Sequence, residues 1–182
     1  MYRILGLCAL TLLPAFAADP VAPSVSKVFD QQLSMVEREF VSLVEAMPAD
    51  KFGFAPTGGE FTSVRTFAQQ ASHVGFVNYA VSAAVLGEKN PSATGPNENG
   101  PTTLKSKDDI VNYLKASFAY AHKAMGTLTD HNLTELVQSA FGNNKTARIY
   151  MANVTLWHSF DHYGQMVVYA RMNGIVPPAS RQ

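Results

Sequence analysis

Cysteine is all but missing from this chain: among 182 residues there is one, Cys8. It sits in an N-terminal apolar run, Ile4 to Leu13, that follows Tyr2-Arg3 and is broken by Pro14. Ala15-Phe16-Ala17 then puts a small-x-small pattern ahead of Ala18-Asp19, the layout of a secretory signal peptide, and the run is too short to span a bilayer. Leu7 stands where lipoprotein processing needs a small residue before the cysteine, so lipidation is excluded. The expectation is a signal peptide over residues 1–17, cut after Ala17 or Ala18. A single domain over residues 18–182 follows, exported to the periplasm or the cell exterior, with no membrane span left after cleavage. A mature chain of that kind carries no thiol, which removes disulfides and a cysteine nucleophile from the chemistry available to it.

Charge is also scarce. Charged residues make up 15% of the chain, and 14 basic side chains balance 14 acidic ones. No basic cluster stands out, so the electrostatic footprint of nucleic-acid binding is missing. Hydrophobic residues at 47% argue for a packed domain rather than a disordered chain. Several catalytic templates are missing as well. There is no His-Glu-x-x-His, no Gly-x-Ser-x-Gly elbow and no pair of Glu-x-x-His motifs, and the glycines of Pro56-Thr57-Gly58-Gly59 do not form a phosphate loop. No alternating strand pattern of useful length and no internal repeat is evident.

What is present is helical periodicity. Val28, Leu33, Val36, Phe40, Leu43, Val44 and Met47 fall near helical spacing after a serine cap at Ser24 or Ser26, and Pro48 ends that helix. A loop over Pro48 to Phe61 leads to a second helix, expected from a Thr62 cap to about Leu86-Gly87. The proline- and glycine-bearing stretch Glu88 to Thr103 is a long connector. Ser106 and Asp109 make a capping box for a third helix that runs to about Leu128. Thr129 to Phe141 reads as a short amphipathic helix, and a last long helix runs from Lys145 or Thr146 to Asn173. The fold expected is all-α: a four-helix bundle with an extra short helix before the last long one.

His158 and His162 stand four residues apart in that last helix, on one face and one turn apart. Apolar and aromatic neighbours surround them (Trp157, Phe160, Tyr163, Met166), which favours neutral imidazole. A third imidazole, His73, lies midway along the second helix. Spacing leaves two readings open: core histidines satisfied by hydrogen bonds, or three nitrogen ligands to one divalent metal with a fourth position free. Asp161, Gln165 and Asn78 are the side chains that could orient the imidazoles from a second layer. His122 and His131 have polar neighbours and read as surface residues.

The order of these elements resembles the DinB-like superfamily, which includes YfiT-type hydrolases and bacterial thiol transferases. The matching stretches are Phe54-Ala55-Pro56, the run Ser63 to His73, and His158 to Pro178 with its His-Tyr-Gly-Gln, Tyr-Ala-Arg-Met-Asn-Gly and Ile-Val-Pro-Pro segments. That resemblance implies up-down-down-up connections, a divalent metal, zinc or nickel, held by His73, His158 and His162, and a homodimer. It also implies either no defined activity or transfer of a small thiol activated by the metal. The export signal sets this chain apart, because low-molecular-weight thiols are mainly cytosolic. The function expected is an exported metal-dependent hydrolase or transferase acting on a small molecule through a three-histidine site. The alternative is a non-catalytic module that binds metal or a small ligand.

Overall fold

A computed structural model describes residues 22–92 and 98–181. The signal peptide expected over residues 1–17, with Cys8, lies outside the described residues. Four helices dominate: α1 (Val25–Ala46), α2 (Phe67–Leu86), α3 (Lys107–Met125) and α4 (Arg148–Met172). No helix among the described residues is long and apolar enough to cross a membrane.

Helix ends follow the local code. Ser24 caps α1 by accepting from the Lys27 amide, and Met47 closes it ahead of Pro48. Ser106 and Asp109 form the expected reciprocal box on α3. The second helix, however, starts four residues later than the Thr62 cap predicted. Thr66 is the cap, with Gln69 returning to the Thr66 amide. The next two amides, Phe67 and Ala68, donate to the loop carbonyls of Phe54 and Phe52. Four free amides at a helix start need acceptors, and here the preceding loop supplies two of them.

Side-chain contacts set the directions. Along α2 and α4 the pairs Gln70–Gln165, His73–His158 and Val85–Arg148 run in opposite senses, so these helices are antiparallel. Asp30 and Glu37 meet His122 whereas Glu45 meets Lys115, so α1 and α3 are antiparallel too. Asn78 meets Ser117 and Glu88 meets Lys123, which makes α2 and α3 parallel. The bundle is therefore up-down-down-up, with α1 and α2 on one diagonal and α3 and α4 on the other. Phe40, Phe67, Phe118, Leu114, Met125, Met151 and Met166 fill the centre, with the Phe40 ring 6.3 Å from Phe118 and 6.4 Å from Tyr163. Because α2 touches both α3 and α4, it is buried on most sides, and its histidine stands in the interior rather than on a rim.

The extra short helix is not there. Helix α3 stops at Met125 rather than Leu128, and Thr129 to Phe141 forms turns and then strand β1 (Leu136–Gln138). Strand β1 pairs antiparallel with β2 (Lys145–Ala147), Val137 opposite Thr146. The Asn132 side chain accepts from the Thr129 amide and donates to the Thr127 carbonyl, taking the backbone groups that a helix would use. Only Val137 of β1 is buried, an out-in-out pattern of period two too short to register in the sequence. Helix α4 starts directly from β2 at Arg148, later than the Lys145 or Thr146 expected.

Candidate metal centre

The antiparallel pairing of α2 and α4 brings His73 against the turn that carries His158 and His162. The Nε2 atoms of His73 and His158 lie 3.2 Å apart. Ring centroids are 5.1 Å apart for His73 and His158, 4.9 Å for His73 and His162, and 4.5 Å for His158 and His162. One ligand nitrogen from each lies within 4.8 Å of the others. His73 and His162 are buried and His158 is partly so. The three histidines therefore converge on one place instead of lying apart in the core.

Hydrogen bonds orient two of the three. His73 Nδ1–H donates to the Glu98 carbonyl at 2.6 Å, which leaves the lone pair on Nε2. The approach of that carbonyl depends on Gly100: a Cβ there would stand 3.0 Å from the Ser72 carbonyl, and its φ is +80°. His162 Nδ1–H is held by Gln70 Oε1, which again leaves Nε2 free. Gln70 in turn donates to Gln165, and Gln165 to Asp161, both at 3.0 Å. Asp161 and Gln165 thus support the site at the far end of a relay, whereas Gln70 makes the direct contact. Gln70 lies one helical turn before His73, and that spacing was the available signal. Asn78 does not serve the histidines: it bonds Ser117 and Ser159 deeper in the core, each at 3.4 Å. The Glu98 contact had no side-chain signal, because any residue can offer a carbonyl.

Burial governs the charge state. Desolvation first, then the neighbouring imidazoles and the Arg65 charge, hold His158 down at about 3. Desolvation and the His73 charge bring His162 to about 4, partly opposed by Asp161. Burial lowers His73 as well, with the Glu98 hydrogen bond opposing it. All three are neutral, lone-pair donors at ordinary pH.

The donor set suits a divalent cation. Tetrahedral zinc with nitrogens at 2.0–2.1 Å has an edge of about 3.3 Å between ligands, close to the 3.2 Å between His73 and His158. The buried Nδ1 of His158 has no hydrogen-bond partner. If Nδ1 carries the proton, the two Nε2 lone pairs face each other; if Nε2 carries it, Nδ1 is a bare buried acceptor. A cation shared by the lone pairs relieves the first conflict.

Two cavities meet the cluster from different sides. One of about 510 Å³ is polar, with His162, Arg65, Gln70 and Gln165 among its lining residues. The other, about 650 Å³, is walled by His73, His158, Glu98 and a set of apolar side chains. His131 is exposed, as expected, but His122 is not a plain surface residue. Its Nδ1 lies 2.5 Å from Asp30 and its Nε2 3.1 Å from Glu37, so it ties α3 to α1.

Solved structures share this fold. A DinB-like protein from Bacillus cereus matches with a TM-score of 0.65 at 17% identity, covering 84% of this chain and 95% of its own. A conserved protein from Enterococcus faecalis matches with a TM-score of 0.66 at 14% identity, covering 83% of this chain and 98% of its own. No functionally curated protein matches. The DinB superfamily profile matches residues 32–166, from within α1 to within α4 and across all three histidines, and the chain belongs to that superfamily.

Proposed function

We propose that this is an exported metal-dependent hydrolase or transferase acting on a small molecule, with His73, His158 and His162 as ligands and a fourth position open. The observation that carries the reading is the convergence of three neutral imidazoles, two of them pinned through Nδ1 so that Nε2 is left to bind. Borderline nitrogen donors favour zinc or nickel. A bound ion there supplies Lewis acidity and lowers the pKa of a water or thiol at the open position. The chain's own part is to keep the imidazoles desolvated and fixed. Export by a signal over residues 1–17, cut after Ala17 or Ala18 and leading to the periplasm or the exterior, belongs to the same proposal. So does a homodimer, favoured by Val168, Met172 and Val176, which are all more than half exposed on one end of the molecule.

A non-catalytic binding module is the second reading. It is favoured by the Glu98 carboxylate, which is paired with Arg65 at 3.3 Å rather than standing free. Elemental analysis of the purified protein decides the shared part: about one divalent ion per chain is expected, lost in His158→Ala. Absence of bound metal, or wild-type metal content in that variant, would count against the enzyme and against a metal-binding module, and would leave only the small-ligand form of the second reading. Turnover in a screen of ester and thiol-acceptor substrates separates them.

A further inference from the structure

The larger cavity is built differently from the polar one. Beside His73 and His158 its walls include Phe76, Val154, Trp157 and Phe141. Trp157 and Phe141 are 51% and 50% exposed, a costly arrangement for two large rings unless something covers them. Neither ring is on a loose segment. Trp157 is on α4 next to His158, with the two rings 6.0 Å apart and edge to face. Phe141 is at the tip of the β1–β2 hairpin, where Ser139 Oγ takes its amide at 3.0 Å and the Ala140 amide points at Met151 Sδ of α4 at 3.5 Å. The volume, about 650 Å³, suits a small organic molecule. The hairpin therefore adds an apolar wall to one side of the histidine cluster only; the other side stays polar.

We propose that this hairpin-walled cavity is the pocket for a flat apolar group of the substrate. It selects molecules that carry an aromatic or similar ring next to the polar atom presented to His73 and His158. The proposal rests on the metal-centre reading above. An amphiphilic substrate turns its polar atom inward to His73 and His158 and rests its ring against Trp157 and Phe141 at the exposed side, and small hydrophilic compounds of the same reactive class are poor ligands because they leave those rings wet.

The test uses the zinc-loaded protein and two probes with one chelating head, benzohydroxamate and acetohydroxamate. Trp157 is the only tryptophan in the chain, so its emission reports on this pocket directly. Benzohydroxamate is expected to bind roughly ten- to a hundredfold more tightly, the worth of burying a ring of that size, and to change the Trp157 emission. Phe141→Ser, at an exposed position, should abolish most of that advantage with melting temperature and zinc content unchanged. Equal affinity for the two probes, or an advantage untouched by Phe141→Ser, overturns the pocket and leaves the metal centre standing. Should the protein take up no zinc, the metal reading fails separately. Benzamide titrated onto metal-free protein then judges the pocket: a saturable emission change lost in Phe141→Ser supports it, and a flat titration overturns it.

Discussion

Gln70 Oε1 holds Nδ1 of His162, and the residue that makes this contact lies three positions before the histidine of the opposing helix. One turn of α2 thus supplies both an imidazole of the cluster, His73, and the group that orients an imidazole of α4. Removing Gln70 should therefore act on the metal, beyond the stability lost with its two hydrogen bonds. Gln70→Ala is expected to weaken metal binding by about 10- to 100-fold, the usual cost of losing such a partner. Competition against a chromogenic chelator measures this. Unchanged affinity would mean that His162 is oriented by packing alone.

His158→Ala and His122→Ala form a contrasting pair. The first should remove the bound ion. The second removes the contacts to Asp30 and Glu37 on the far side of the bundle. It should leave metal content intact and cost roughly 1 kcal/mol or less, since the cluster is partly solvated. Elemental analysis and urea unfolding of both variants make the comparison.

Two glycines in helix interiors should respond with opposite signs to alanine. Gly164 of α4 has open space where a Cβ would stand. Gly164→Ala should stabilise by about 0.5–1 kcal/mol through reduced chain entropy. At Gly75 the new Cβ would lie 2.7 Å from Cε1 of Tyr113. That ring cannot swing aside freely, because its hydroxyl is 2.5 Å from Ser92 Oγ and its face is 5.4 Å from Tyr79. The overpacking cost of about 1–3 kcal/mol outweighs the entropy gain, so Gly75→Ala should destabilise. Thermal melting with metal present reads both.

Without metal, the protein should lose stability as pH falls below the usual histidine range. Unfolded histidine titrates near 6.5, whereas in the fold His158 is held at about 3 and His162 at about 4. Between those values the unfolded chain binds more protons than the native one, so stability rises with pH across the window and is complete above about 6.5. Urea midpoints of chelator-treated protein should hold level from pH 8 to about pH 7 and fall from there to pH 5. The double variant His158→Gln, His162→Gln should flatten that slope; an equally steep slope in the variant would place the titrating groups elsewhere.

Much of the bundle could be read locally. The α1 stripe Leu33, Val36, Phe40, Leu43, the Ser106–Asp109 box and Pro48 each act through neighbours within a turn or two, so periodicity and capping located those helices. The Thr66–Gln69 box is equally local, and Thr62 competes with it because both threonines precede an apolar run. The Thr129–Phe141 stretch misled for a different reason. Leu133, Leu136 and Val137 have helical spacing, yet Asn132 withdraws its turn from the helix and β1 gains its hydrogen bonds from β2, seven residues beyond it.

The site divides in the same way. By itself, the sequence determined that His158 and His162 share a face, because the helical repeat imposes it, and that neutral imidazole is favoured among aromatic neighbours. Only the tertiary structure decided that His73 meets His158 at 3.2 Å and closes on His162 as well, that the Glu98 carbonyl and Gln70 fix two tautomers, and that Phe141 adds an apolar wall to a cavity beside them. The repeat of a helix is written in residues three and four apart. Which helix faces which, and what a hairpin tip covers, follows from burial shared across the whole chain.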